Sequence, residues 1–243
     1  MTSTELGEVA VTSRCLGEYR DMFVLSEADL TAGPILDCPG GASSFGAQVR
    51  ARGGDVVSVD PMYHASAAEI LRRSAESRGR IHHYQSDHPD QFHWPYLGSP
   101  AANLRCAEVS ADLFGIDFAA NPGGYVPATL PQLPFPDRRF HLALSGYLLF
   151  TYADRLSFDD HVIALRELLR VSEEVRAFPL IDITGAQYPH LDAPSSSRAD
   201  RRASRCGYCT PVMSINGKAL TCSLTRSSSR RAMTWSSNDR RSA

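Results

Sequence analysis

The sequence predicts an α/β fold, a three-layer sandwich in which helices cover both faces of a mostly parallel sheet. Three observations predict it. Apolar runs of strand length alternate with segments of helical period, and two of those runs close on an acid. The first is followed by a small-residue loop and a short helix before the second begins, which is the pattern of a right-handed βαβ crossover. The chain has 243 residues and 43% hydrophobic content, enough for one sizeable core with a small appendage.

Taken in order, residues 1–30 read as an N-terminal helical cap. Cys15, Leu16, Tyr19, Met22 and Phe23 share a helix face, and Ser26 with Asp29 forms a capping-box pattern for the next helix. Pro34-Ile35-Leu36-Asp37 reads as a short buried strand, and Cys38-Pro39-Gly40-Gly41-Ala42-Ser43-Ser44 as a tight loop. A helix from Phe45 to Arg52 is stopped by Gly53 and Gly54, and Asp55-Val56-Val57-Ser58-Val59-Asp60 is the second strand. Residues 64–78 look helical. A His-rich loop follows, then helix around Ala101–Phe114 and the Pro/Gly-rich run Asn121–Pro131.

Phe140-His141-Leu142-Ala143-Leu144-Ser145-Gly146 is a third clear strand. Ser157 and Asp160 can cap a helix whose apolar face is Val162, Ile163, Leu165, Leu168 and Leu169. Glu174–Ile183 is a fourth strand, and Pro179 inside it suggests an edge or a bulge. The core domain is therefore expected to span 31–193.

Charge divides the chain. Net charge is −2, but residues 194–243 carry +8 and residues 1–193 carry −10. An acidic body argues against nucleic-acid binding by the folded part. No stretch approaches the roughly 18 apolar residues of a membrane span, and Met1–Glu8 lacks the basic start and apolar run of a signal peptide. A soluble cytoplasmic protein with no membrane partner is expected. Six cysteines are too sparse for a disulfide scaffold, and Cys15, Cys38 and Cys106, isolated from one another in sequence, read as thiols in a reducing compartment.

In open α/β sheets, ligands bind beyond the carboxyl ends of strands where the strand order reverses. There the small residues at 40–43 allow close backbone approach, the next helix offers free N–H groups, and Asp60 can accept bonds from ribose hydroxyls. An adenosine-type ligand is expected. The G-x-G-x-x-G fingerprint of nicotinamide enzymes is absent around Gly40-Gly41, which weakens a dehydrogenase reading.

At these residues the sequence resembles the class I S-adenosylmethionine-dependent methyltransferases, whose fold is Rossmann-like. Ile35-Leu36-Asp37-Cys38-Pro39-Gly40-Gly41-Ala42-Ser43 is similar to their first motif and Val57-Ser58-Val59-Asp60 to their ribose-binding strand end. Leu133-Pro134-Phe135-Pro136-Asp137-Arg138-Arg139-Phe140 is similar to their entry into the fourth strand, and Glu167-Leu168-Leu169-Arg170-Val171 resembles the segment that follows. The resemblance spans about residues 35–185. It implies that S-adenosyl-L-methionine is held by Asp37, Cys38, Pro39, Gly40, Gly41 and Ala42, by Asp60, Pro61 and Met62, and by Ser145.

This sequence departs from the family pattern at several places. Pro39 and Ser43 stand where Gly is commoner, His141 replaces an Asp, and no acid lies near Ala128-Thr129, where relatives often contact the adenine. Ser145-Gly146-Tyr147-Leu148 stands in place of the Asn/Asp-Pro-Pro-Tyr signature of amine and nucleobase enzymes, so a small-molecule acceptor is expected. Because the methyl group arrives activated, a base is needed only for a protonated acceptor. Tyr63, His64 and Tyr147, which follow the strand ends, are candidates for that base, while a protein that binds the cofactor without turnover is the alternative.

His82, His83, His88 and His93 lack the spacing of a metal site, and no metal is expected. Trp94, Pro95, Tyr96 and Leu97 suggest an aromatic lid over the acceptor. The basic tail 194–243 holds twelve Ser and Cys206-Gly207-Tyr208-Cys209, and it reads as disordered. In a displaced reading frame, residues 212–223 allow Asp-Glu-Tyr-Gln-Trp-Gln-Gly-Ala-Asn-Met-Leu, similar to the closing strand of a methyltransferase domain. A frame displaced near Pro194 would leave the sheet without its antiparallel strand pair and with an exposed edge.

Overall fold

In a computed structural model, residues 9–92, 94 and 98–182 are described, together with the backbone of strands at 209–211, 220–226 and 233–234. Five parallel strands form the body of one sheet: β1 (Ile35–Asp37), β2 (Val56–Val59), β3 (Tyr125–Val126), β4 (Phe140–Gly146) and β5 (Ser172–Phe178). β6 (Cys209–Pro211), β7 (Leu220–Arg226) and β8 (Met233–Thr234) extend it. The strand order is β3-β2-β1-β4-β5-β7-β6, with β8 also on β7. β1 pairs with both β2 and β4, so the order reverses at β1.

Alternation along the strands builds two cores. Ile35, Leu142 and Leu144 face one side, where they meet Leu16, Tyr19, Met22 and Phe23 of α1 (Leu16–Phe23), Leu30 of α2 (Glu27–Thr31), and Phe45 and Val49 of α3 (Phe45–Arg50). Leu36, Ala143, Val175 and Ala177 face the other, against Leu165, Leu168 and Leu169 of a helix spanning Phe158–Val171. These are the two outer layers of the expected sandwich. Ile70 of α4 (Ala67–Asp87) and Phe114 of α5 (Pro100–Ala120) pack with Tyr63 and Tyr125 in a third cluster beside β3. The Phe158–Val171 helix is α6.

The predicted caps form. The Asp29 N–H donates to Ser26 Oγ (3.2 Å) and the Ser26 N–H to Asp29 Oδ2 (2.8 Å), and Ser157 and Asp160 repeat the exchange at 3.2 and 2.9 Å. Gly53, at φ +83°, ends the turn after α3 in the left-handed region.

Other expectations are corrected. α4 runs to Asp87 and takes His82 and His83 out of the expected loop, because its polar second half packs along α5. Tyr125–Val126 in the Pro/Gly-rich run is a strand, recruited by pairing with Ser58 and Val59. Ile163 is 47% exposed rather than core-facing. β5 ends at Phe178, so Pro179 lies beyond it, and the strand is interior, between β4 and β7. The antiparallel strands expected to be missing are present: β7 pairs with β5 and β6 with β7. Ladder pairing uses main-chain groups that any non-proline residue supplies, so a serine-rich, basic composition does not forbid it. The rest of the tail lies outside the described residues. Among the described residues, no helix is long and apolar enough to cross a membrane.

Candidate functional site

A cavity of about 780 Å³ opens over the carboxyl ends of β1, β2 and β4, where the strand order reverses. Its floor comes from the strand ends: Pro39 and Gly41 after β1, Asp60, Pro61 and Met62 after β2, and Gly146, Tyr147 and Leu148 at the end of β4. α4 contributes Arg72, Arg73, Glu76, Ser77 and Arg80, and Thr129 adds one wall.

The remaining wall is the extended segment 9–14, which precedes α1, with Tyr19 and Met22 of α1. It is laced to its surroundings mostly through the main chain. The Ala42 N–H donates to Thr12 C=O (2.9 Å), the Arg14 N–H to Ser43 Oγ (3.2 Å) and the Ser44 N–H to Arg14 C=O (3.0 Å). The Val11 N–H donates to Ser77 Oγ (3.1 Å) and the Ala10 N–H to the Tyr152 hydroxyl (3.1 Å). The segment thus joins the 41–44 loop, α4 and the region after β4.

Asp60 lines this cavity. Its Oδ2 accepts from the Gly41 N–H (3.1 Å) and its Oδ1 from the Met62 N–H (2.9 Å). Burial raises its pKa, while those two N–H groups hold it down. Each oxygen retains a lone pair for a ligand hydroxyl. Asp37 has turned the other way. It is 1% exposed and does not line the cavity; Oδ1 accepts from the Tyr19 hydroxyl (3.0 Å) and Oδ2 from Ser58 Oγ (3.2 Å). Burial pushes it up to about 7, against the pull of those two hydroxyls.

The two glycines answer to the protein itself. A Cβ on Gly40 would lie 2.4 Å from the Tyr63 hydroxyl and 2.8 Å from Ser58 Cβ. Gly41 has φ +54°, and a Cβ there would lie 2.7 Å from Thr12 C=O. Cys38 is a core residue whose thiol burial pushes up, and Cys38, Gly40 and Ala42 stand behind the cavity surface. Ser145, 3% exposed, also stands behind it, and its hydroxyl has no partner among the described residues.

The three candidate bases differ in placement. The Tyr63 hydroxyl donates to Gly41 C=O (2.8 Å), and its ring packs on Phe114, Phe118 and Tyr125. His64 is exposed and away from the cavity. Tyr147 lines it at φ +53°, and its ring carries the Arg14 guanidinium 4.0 Å from the centroid. Burial pushes the Tyr147 phenol up to about 12, so it keeps its proton at neutral pH.

Sequence reasoning missed the contribution of segment 9–14, above all Arg14, whose guanidinium donates to Thr12 Oγ1 and has no acid partner among the described residues. It also missed the arginines of α4, although Arg72 is committed to Glu69 and Glu76. A sequence signal for the latter existed in Arg72, Arg73 and Arg80 at helical spacing just after Asp60. His82, His83 and His88 join no group of three ligand-type side chains among the described residues, and His93 lies outside them. The Trp94 indole donates to Pro89 C=O (2.7 Å) within its own turn; Pro95, Tyr96 and Leu97 lie outside the described residues.

No protein-family model and no solved structure matches this chain. A curated relative is 30% identical over 193 residues, which cover 79% of this chain and 87% of the relative. On that identity and coverage, the chain belongs to the family of the uncharacterized protein MJ0045 of Methanocaldococcus jannaschii.

Proposed function

We propose that this protein binds S-adenosyl-L-methionine in the cavity at the β1, β2 and β4 ends and transfers its methyl group to a small-molecule acceptor. The observation that carries the reading is the placement of Asp60, a carboxylate that lines the cavity, positioned by two backbone N–H groups beside the Gly40-Gly41 loop. A ribose needs such a paired acceptor beyond a strand end. The strand pairing adds support, since the parallel body continues into an antiparallel β7 and β6, as the methyltransferase resemblance leads one to expect.

The residues present fit such a cofactor. A cavity of about 780 Å³ falls in the range of small-molecule sites, roughly 300–1,000 Å³. Asp60 would hold the ribose hydroxyls. Pro61, Met62 and Thr129 give the adenine an apolar wall with one polar group, and the Arg14 guanidinium supplies a cation for a carboxylate. Bound there, the cofactor supplies a methyl group already activated on a sulfonium. What the chain contributes is alignment: the segment 9–14, Gly146 and Tyr147 line the same cavity as Asp60 and would enclose an acceptor beside the cofactor. Positioning of this kind can lower a barrier by about 7–11 kcal/mol. Tyr147 then acts as a protonated wall and hydrogen-bond donor, and the favoured acceptors are nucleophiles that need no base from the protein.

Calorimetry with S-adenosylhomocysteine and with NADH tests the reading. Micromolar or tighter binding of the former is expected, weakened roughly 10- to 100-fold in Asp60→Asn, the value of one or two hydrogen bonds to a charged group. Binding of NADH alone would overturn it. Tight S-adenosylhomocysteine binding without methyl transfer to any acceptor would instead mark a cofactor-binding protein without turnover.

A further inference from the structure

Cys15 and Cys106 are 91 residues apart in sequence, yet their sulfurs lie 3.8 Å from one another. Glu18 joins them: the two Sγ atoms and a Glu18 carboxylate oxygen all lie within 4.8 Å of one another. We propose that Cys15, Glu18 and Cys106 form a binding site for a thiophilic divalent cation, Zn²⁺ by chemistry, that clamps the cavity's N-terminal wall to α5.

The geometry is that of a tetrahedral centre approached from one side. With a metal–sulfur distance of about 2.3 Å, two thiolates on a tetrahedral ion stand about 3.8 Å apart. Cys15 and Glu18 are the N-cap and third residue of α1, so both side chains gather at the same helix end. The Glu18 carboxylate is already oriented, because Oε2 accepts the Cys15 N–H at 2.8 Å. The partner thiol is held in place by the neighbouring contact, in which Ser13 Oγ donates to Ala107 C=O (2.8 Å) and docks the segment on α5. Cys106 is exposed, which gives an ion a route in and leaves the fourth position to water.

Because Cys15 follows Arg14 and lies three residues after Thr12, the site ties the segment bonded to the 41–44 loop to α5.

The test uses the reduced full-length chain with Cys206, Cys209 and Cys222 replaced by Ser, titrated with Co²⁺ and then Zn²⁺. One Co²⁺ per chain is expected, with a sulfur-to-cobalt charge-transfer band and the intense visible bands of tetrahedral cobalt, both abolished by Zn²⁺. Cys106→Ser, at an exposed position, should remove the charge-transfer band, and Glu18→Gln should weaken binding at least tenfold. Zn²⁺ should raise the thermal midpoint of the parent and leave that of Cys106→Ser unchanged. The proposal is overturned if no charge-transfer band forms, if the band survives Cys106→Ser, or if the cobalt spectrum is the weak one of an octahedral ion. It is equally overturned if the thiol pair is oxidised by hydroperoxide to a disulfide but takes no metal when reduced.

Discussion

Asp37→Asn should make the protein more stable, and more so as the pH rises. The carboxyl is 1% exposed and, among the described residues, receives two neutral donors, Tyr19 Oη at 3.0 Å and Ser58 Oγ at 3.2 Å. Burial outweighs them and lifts the group from its ordinary 3.8 to about 7. A carboxyl with a raised folded-state value binds its proton more tightly when folded. Its favourable contribution is complete below 3.8 and is lost as the pH rises through about 7. Each unit is about 1.4 kcal/mol, so ionisation costs the folded state about 4 kcal/mol above pH 8 and about 1.5 kcal/mol at pH 5. An amide keeps the shape and never ionises, and both hydroxyls can turn to accept from its NH₂. Urea unfolding of both proteins at pH 5 and pH 8 measures the difference of differences, expected at about 2–3 kcal/mol in favour of the variant at the higher pH. Titrating groups that do not feel the Asp37 charge are common to both proteins and cancel, whereas Asp60, whose charge helps to raise Asp37, is part of the measured difference. A stability gap that stays constant within about 0.5 kcal/mol across that range would refute the reasoning. The same variant tests the resemblance: Asp37 does not line the cavity, so S-adenosylhomocysteine affinity should change less than threefold.

Arg14→Gln should weaken S-adenosylhomocysteine binding about tenfold while leaving 5′-methylthioadenosine, which lacks the amino-acid group, unaffected in calorimetry; equal losses for both would remove Arg14 from carboxylate recognition. Asp117→Asn should cost about 2 kcal/mol in urea unfolding at pH 7, because its carboxylate pairs with Arg50 and accepts from the Tyr125 hydroxyl (2.6 Å), with side chains only 13% and 19% exposed for Asp117 and Arg50. Burial pushes the Asp117 carboxyl up, but hydrogen bonds from Arg50, Tyr125 and Asn121 pull it below 3.8, so its contribution is present above that value and disappears as the pH falls through the lower folded one; acid titration of the two proteins should converge there.

The elements legible in the sequence are those with local causes. The two capping boxes announce α2 and α6, and the apolar runs at 35–37, 56–59 and 140–146 sit where they were expected. What escaped is set by distant partners. β3 is two residues long and exists through Ser58 and Val59. The second half of α4, Gly79–Asp87, has little apolar period and is helical along α5. β7 and β6 sit in a segment whose composition resembles disorder, yet they continue the sheet at the open side of β5.

The site divides along the same line. Its floor was legible because strand ends and a Gly loop leave marks in sequence, but its far wall was not. Segment 9–14 is extended, aperiodic and held mainly by main-chain donors and acceptors, which every residue but proline carries. The two strand-end acids show how far spacing alone can reach. Asp37 and Asp60 look equivalent in sequence, yet register separates them. The β1 ladder ends with Asp37 opposite Ser58 on one side and Leu144 on the other, so Asp37 is enclosed by both neighbours and capped by the Tyr19 hydroxyl. Asp60 lies two residues past Ser58, beyond the last pair with β1, where, among the described residues, its oxygens accept from the Gly41 and Met62 N–H groups. A two-residue offset between adjacent parallel strands thus makes one carboxylate a buried strut and leaves the other able to meet a ligand.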